Sequence, residues 1–452
     1  MNASPAQDSP PGYRRVWALA WPIMLSNLSI PLVGAVDTAV MGHMPDPAYI
    51  GAVAIGASLF SVLFWSFGFL RMGTTGFVAQ AYGVGDGHEA RMAFTRALLV
   101  AGVLALAILA LQWPTAVIAF AIIDGSESVT TLARSYFDIR IWSAPAAFAN
   151  YALLGTLIGL QNTRAVLVHQ LVLNGTNVAL DLLFVPVLGF GVEGVALASV
   201  IAEFTAVGLG VWLVLRELGR LPVSRPRTRL FDRERLSALF AVNGNILIRT
   251  LCLVVSFFWF AATGARIGET ELAANAVLMQ LLFFLAYGLD GFAHAAESLA
   301  GSAWGRRKRT HFTAAIRTTT VSACGVALIF TLIYAGLGTT FISWMTDQES
   351  VRSTAATYLP WMIAAPLIAV WSFQLDGIFI GTTRTVEMRN AMLISFLFFL
   401  FAVWALVPLL GNHGLWLALM LFLALRAATL FAYMPRLQRA LDGRSRQTAD
   451  SG

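Results

Sequence analysis

Apolar runs separated by short polar connections follow one another along the whole chain, and each run is too long for a soluble fold. A hydrocarbon core about 30 Å thick needs about 20 apolar residues per helix. Twelve stretches reach that length, at 16–41, 48–72, 94–118, 131–160, 165–188, 192–215, 236–262, 271–298, 312–338, 353–381, 388–410 and 414–434. The connections leave no room for a soluble domain. The pattern therefore predicts an all-α integral membrane protein, whose backbone hydrogen bonds close within each helix.

Composition agrees with the pattern. The chain is 58% hydrophobic and 12% charged, whereas soluble domains carry about 25% charged residues. The net charge of +6 and a pI near 9.7 could suggest a nucleic-acid partner, but the distribution of the charges argues against one. With the connections assigned alternately to two sides, the side of the N-terminus carries 21 Lys and Arg, and the other carries only Arg266 and Arg352. Seven of the 21 are arginines from Arg216 to Arg235. By the positive-inside rule both termini are expected in the cytoplasm, with the chain crossing the cell inner membrane many times. Arg14-Arg15 before an apolar run could mimic a signal peptide. That run is too long and contains Asp37, so an uncleaved first helix is expected. Cys252 and Cys324 fall in apolar spans, where each reads as a small buried hydrophobe rather than half of a disulfide.

The chain repeats itself. Ala52-Val-Ala-Ile through Gln80-Ala-Tyr-Gly83 aligns with Ala274-Asn-Ala-Val through Ser302-Ala-Trp-Gly305, at an offset of 222 residues. Leu188-Gly189 and Leu410-Gly411 keep that offset, and Ala144-Pro145 and Ala365-Pro366 hold it to within one residue. Six helices per half is an even number, so both halves enter the membrane from the same side. The expected organisation is a cytoplasmic tail at 1–15, an N-terminal lobe at 16–216, a basic linker at 217–235, a C-terminal lobe at 236–434 and a second tail at 435–452. Two six-helix lobes would then be related by a pseudo-twofold axis along the membrane normal, the arrangement of a secondary transporter. No filter-like motif of a channel recurs in the chain.

Ionisable residues within the spans point to function. Asp37 lies in Leu32-Val-Gly-Ala-Val-Asp37-Thr-Ala-Val-Met41, where a carboxylate costs about 2.5–3.5 kcal/mol on insertion scales. Asn174, Asn177 and Asp181 share one helix face in the fifth span, being three, four and seven residues apart. Asp37 and Asp181 both sit on outward-running helices at similar depth, so they can belong to one pocket. An amide and a carboxylate at i and i+4 can hold one proton or a small cation. Pro22 and Pro31 interrupt the same helix as Asp37. The second half offers Asp290 and Asp376, each followed by glycine; these mark either cavity residues or local kinks and partners for Arg249. Glu203 and Glu297 are acids of the same ambiguous kind, and Asn174, Asp290, Asp376 and Glu203 are carried as candidates for a substrate cavity.

Other motifs dissolve on inspection. Gly83-Val-Gly85-Asp86 resembles a protease signature but falls in a turn outside the membrane. His294 and Glu297 have metal-ligand spacing without the partners a metal site needs. Gly155-x-x-x-Gly159 allows close helix contact. No nucleophile or metal constellation suggests an enzyme.

Four segments, Val36-Asp37-Thr-Ala-Val-Met-Gly42-His43, Leu70-Arg-Met-Gly-Thr-Thr-Gly76, Asn177-x-x-x-Asp181 and Leu375-Asp376-Gly-Ile-Phe-Ile-Gly381, resemble the multidrug and toxic-compound extrusion (MATE) transporters, with the DinF-like branch as the nearest match. The resemblance implies two six-helix lobes and export of amphipathic, often cationic compounds in exchange for H⁺ or Na⁺. It also implies that Asp37 and Asp181 are coupling carboxylates, that Asn177 is a cavity ligand, that Ser199 is a hydroxyl near the cation, and that Pro22 is the bend of the first helix. Na⁺, if used, would sit at Asp37, Asn177 and Asp181. Relatives with acids in both lobes have a carboxylate on the seventh helix, and 236–262 contains none. No cofactor is implied, and a monomer is expected. The rival within transport is a flippase for a lipid or lipid-linked precursor, which would favour an arginine-rich cavity. Arg71, Arg140, Arg249 and Arg426 read as scattered.

Overall fold

The computed structural model describes residues 9–44, 46–122, 126–222 and 229–449, with side chains to residue 442 in the last stretch. Among them are 12 helices long and apolar enough to cross a membrane. In the first half they are α1 Tyr13–Met41, α2 Ala48–Val84, α3 Gly87–Ala110, α4 Glu127–Gly159, α5 Thr163–Phe184 and α6 Val192–Gly219. In the second half they are α7 Arg233–Ile267, α8 Glu269–Gly305, α9 Arg309–Met345, α10 Glu349–Gly381, α11 Thr385–Leu410 and α12 Asn412–Asp442.

Many helices extend beyond the apolar runs, because the hydrogen-bond ladder does not stop where hydropathy falls. One span differs in kind. A single crossing at 94–118 is expected from the sequence, but α3 starts earlier, where Asp86 Oδ1 accepts from the Glu89 N–H at 3.0 Å and caps the helix. It ends at Ala110, and a short separate helix, Gln112–Ile122, follows with Pro114 in its first turn, a position where the missing N–H is harmless.

Helices of the first half are interrupted where those of the second are not. α1 breaks at Ser29, whose N–H reaches only the Ser26 carbonyl, and Pro31 opens the next segment. α2 breaks at Phe67 and Gly68, and α4 passes through a 3-10 turn at Ile141–Ser143 just before Pro145. In contrast α10 stays helical through both Pro360 and Pro366.

The chain divides into two compact units, Leu25–Leu239 and a second that joins Met1–Met24 to Phe240–Gly452. The start of α1, expected from the sequence in an N-terminal lobe at 16–216, packs with the second half. Val16, Leu19 and Ala20 lie in one apolar cluster with Leu289 and Phe292. Trp17 meets Phe292 edge-on at 5.1 Å. The cause is Gly291, where a Cβ would stand 2.7 Å from the Ala20 carbonyl oxygen. Pro22 lies inside the unbroken segment Tyr13–Leu28, three residues before the boundary between the units.

The repeat is visible in the backbone. A Cβ at Gly155 would come within 2.4 Å of the Arg71 carbonyl, and one at Gly377 within 2.3 Å of the Ala293 carbonyl. Gly159 against Val78 and Gly381 against Glu297 form the next pair of close approaches. In each unit α4 or α10 thus lies against α2 or α8, backbone to backbone, as small residues four apart permit. Residues with left-handed φ pair in the same way: Gly85 with Arg307, Gln161 with Thr383, and Gly189 with Gly411. The paired glycines, Gly155 with Gly377 and Gly159 with Gly381, and the paired left-handed residues are all 222 residues apart, so the offset read in the sequence is an offset of structure.

Candidate functional site

In the first unit three helices bring polar groups into an apolar interior. The second segment of α1 carries Asp37, α5 carries Asn174, Asn177 and Asp181, and α6 carries Ser199 and Glu203. The register of α5 is set by Asn162, whose Oδ1 accepts from the Ala165 N–H at 3.1 Å. Asp37 is 9% exposed, Asn177 3% and Asp181 0%. Asn177 donates through Nδ2 to Ser199 Oγ at 3.1 Å. This joins two of the four residues proposed from the sequence as an ion-coupling set, Asp37 and Asp181 being the others.

Their oxygens are not satisfied. Asp37 Oδ1, Asn177 Oδ1 and both oxygens of Asp181 are buried with no hydrogen-bond partner. Asp37 and Asp181 interact directly with each other, and both lie within electrostatic reach of Arg140. As ionised groups, however, both are acceptors, and neither offers the other a donor. Leaving a buried acceptor unpaired costs about 1–3 kcal/mol, and more when it is charged. One proton shared between the carboxyls, or one small cation among four oxygens, would remove that deficit.

The neighbouring groups already have partners. Asn174 donates through Nδ2 to Ser29 Oγ at 2.6 Å and accepts from Gln170 at 3.2 Å. Ser29 Oγ in turn donates to the Ser26 carbonyl at 2.6 Å. Asn174 therefore ties α5 to the break in α1. Glu203 accepts from Asn150 Nδ2 at 2.7 Å and pairs with Arg140 at 3.6 Å. Asn150 Oδ1 continues to His169 Nε2 at 3.0 Å. Arg140 also donates to Ser143 Oγ and lies over the rings of Phe60 and Phe64. Asn150 and His169 were not singled out in the sequence; the signal available was their polarity within apolar spans.

The second unit has the opposite arrangement. Asp376 Oδ2 on α10 accepts from Arg249 on α7 and from Arg426 on α12. Asp290, half-buried on α8, lies within electrostatic reach of both arginines. Reading these arginines as scattered is corrected here: separated by 177 positions in sequence, they meet on one oxygen. The pairing of Asp376 with Arg249 was one of the two sequence alternatives, and Arg426 was the missing member. The other alternative, a kink at Asp376-Gly377, is absent from α10, where the glycine serves the close contact with α8 instead.

Among the described residues, no group of three His, Cys, Asp or Glu is placed to hold a metal ion.

The model of the MatE family matches residues 22–183 and 246–404. The chain is 41% identical over 423 residues to the DNA damage-inducible protein F of Escherichia coli (strain K12), spanning 94% of this chain and 92% of that protein. It is 26% identical over 422 residues to the probable multidrug resistance protein NorM of Caulobacter vibrioides, spanning 89% and 84%. In fold it resembles an outward-facing multidrug resistance MATE family transporter of the MOP superfamily. The TM-score is 0.87 at 17% identity, over 98% of this chain and 100% of that one.

Proposed function

The chain belongs to the MatE family of multidrug efflux transporters, and from that membership we propose that it is a secondary antiporter. It exports amphipathic, often cationic compounds in exchange for H⁺ or Na⁺, as a monomer and without a cofactor. It sits in the cell inner membrane with both termini in the cytoplasm, a topology supported by the 21-to-2 charge asymmetry. The observation that carries the reading is the set of four unpartnered oxygens on Asp37, Asn177 and Asp181 inside the first unit.

Exchange follows from competition. A buried carboxyl pair without a counter-cation favours taking up a proton; a cationic cargo, or Na⁺, favours the ionised pair. Both cannot be satisfied at once, so arrival of one expels the other. Ser199 holds the Asn177 amide by its Nδ2 and leaves the carbonyl oxygen free to take a cation. Glu203, held by Asn150 and Arg140, and Asn174, held by Ser29, support the site rather than contact the ion. Pro22, with no N–H to donate, lets α1 bend beside the unit boundary as the site opens to alternate sides. Each pH unit supplies about 1.4 kcal/mol, a tenfold cargo gradient for one-for-one exchange.

The test is uptake of ethidium into vesicles holding the purified protein, under an imposed pH or Na⁺ gradient. Uptake should follow one gradient and stop when it is collapsed. Uptake indifferent to both gradients would refute antiport.

A further inference from the structure

Arg249 and Arg426 are 7% and 4% exposed and together bring about ten N–H donors into the second unit. Their hydrogen bonds go to one atom, Asp376 Oδ2. The Nε of each arginine, and Asp376 Oδ1, are buried without a partner. Two cations share one oxygen of Asp376, and a second acid, Asp290, lies within electrostatic reach of both. A lobe built to stabilise itself would match each guanidinium with its own carboxylate, because a fork-to-fork pair satisfies two donors and two acceptors at once. This cluster instead leaves the Nε–H of both guanidiniums buried without an acceptor.

We propose that Arg249 and Arg426 form a binding site for a carboxylate group on the cargo. Asp376 is its internal stand-in: when cargo is absent it holds the two guanidiniums together, and when a carboxylate arrives each guanidinium gains an acceptor of its own. The preferred cargo is then a zwitterionic amphiphile, with a cationic and an anionic end, over a simple cation of the same shape. Arginine suits this role because its charge persists at any cellular pH and its fork fixes the orientation of a planar anion. This proposal rests on the reading of the chain as an exporter of amphipathic compounds, and adds to it a residue-level basis for selecting among them.

Two dyes differing only at the carboxyl test it: rhodamine 110, which bears a free carboxylate, and rhodamine 123, its methyl ester. Fluorescence polarisation with the purified wild-type protein should show rhodamine 110 binding roughly tenfold tighter, the factor expected of one added charge-assisted hydrogen bond. Arg426→Gln leaves a one-to-one Arg249–Asp376 pair that can stay folded. It should bring the two affinities together by weakening rhodamine 110 alone. Asp376→Asn removes the competing anion and should widen the preference. A structural role alone would lower both affinities or neither, leaving their ratio unchanged. Equal binding of the dyes by wild type, or a ratio that Arg426→Gln does not move, overturns the site while leaving the export reading in place. Failure of both dyes to bind counts against the site and the export reading together. If methylphosphonate or short-chain phosphatidic acid displaces rhodamine 110 while benzoate does not, the site selects phosphate, and the carboxylate assignment is wrong.

Discussion

The two units share a repeat, down to matching glycines and left-handed residues, yet treat buried charge in opposite ways. In the first, Asp37 and Asp181 are carboxyls with no hydrogen-bonded cation, and with Asn177 they hold four unpartnered oxygens. In the second, Asp376 is a carboxylate with two arginines on a single oxygen. The backbone differs in parallel. α1, α2 and α4 are interrupted, whereas α10 runs unbroken past Asp376. The same scaffold can therefore hold a site that is incomplete until a proton or cation arrives, and a site whose positive charge is permanent. The antiport proposed above assigns coupling to the first, because only a group that changes its occupancy can exchange one ion for another.

The largest effect expected from this contrast is on transport. Asp37→Asn should reduce drug export to background while expression and folding stay near wild type, as measured by resistance and by the yield of monodisperse protein. Full resistance in cells carrying that variant would break the contrast at once. Next comes stability. Asp376→Ala strands two buried guanidiniums and should lower the unfolding free energy by about 3–5 kcal/mol, the usual cost of removing one partner of a buried pair. Asp181→Asn removes an unsatisfied charge instead, and should leave the melting temperature unchanged or raise it. Thermal melts in detergent compare the two directly, and a large loss in Asp181→Asn would mean that its carboxylate has a partner after all.

A smaller pair of effects probes what the units share. Gly381→Val would drive a Cβ to 2.1 Å from the Glu297 carbonyl, and Gly159→Val would bring one to 2.8 Å from the Val78 Cβ. Overpacking of this kind costs about 1–3 kcal/mol. The loss should be larger at Gly381, where backbone rather than side chain must move, and melting curves of both variants would show the order.

Much of this was legible in the sequence because it depends on local periodicity. Hydropathy marks the spans, and a helical period places Asn177 and Asp181 on one face. The cost of a carboxylate in a bilayer singles out Asp37. The 222-residue offset anticipates the paired glycines, since close helix approach needs small residues at fixed spacing. What stayed hidden depends on contacts distant in sequence. Nothing local to Arg426 says that it reaches Asp376, and nothing local to Glu203 says that Asn150 and Arg140 occupy it. The start of α1 is apolar on any reading, and only Gly291, some 270 residues later, makes room for it in the second unit.

The most direct test of coupling in the first unit is the affinity for a cationic probe, measured over about pH 5.5 to 8.5, on both sides of neutrality. If proton and cargo compete at Asp37 and Asp181, wild-type affinity falls as the pH is lowered. Asp181→Asn should flatten that profile, and Asp376→Asn should leave its slope in place whatever it does to the affinity itself. An unchanged slope in Asp181→Asn together with a flat one in Asp376→Asn would put coupling in the second unit and contradict the account.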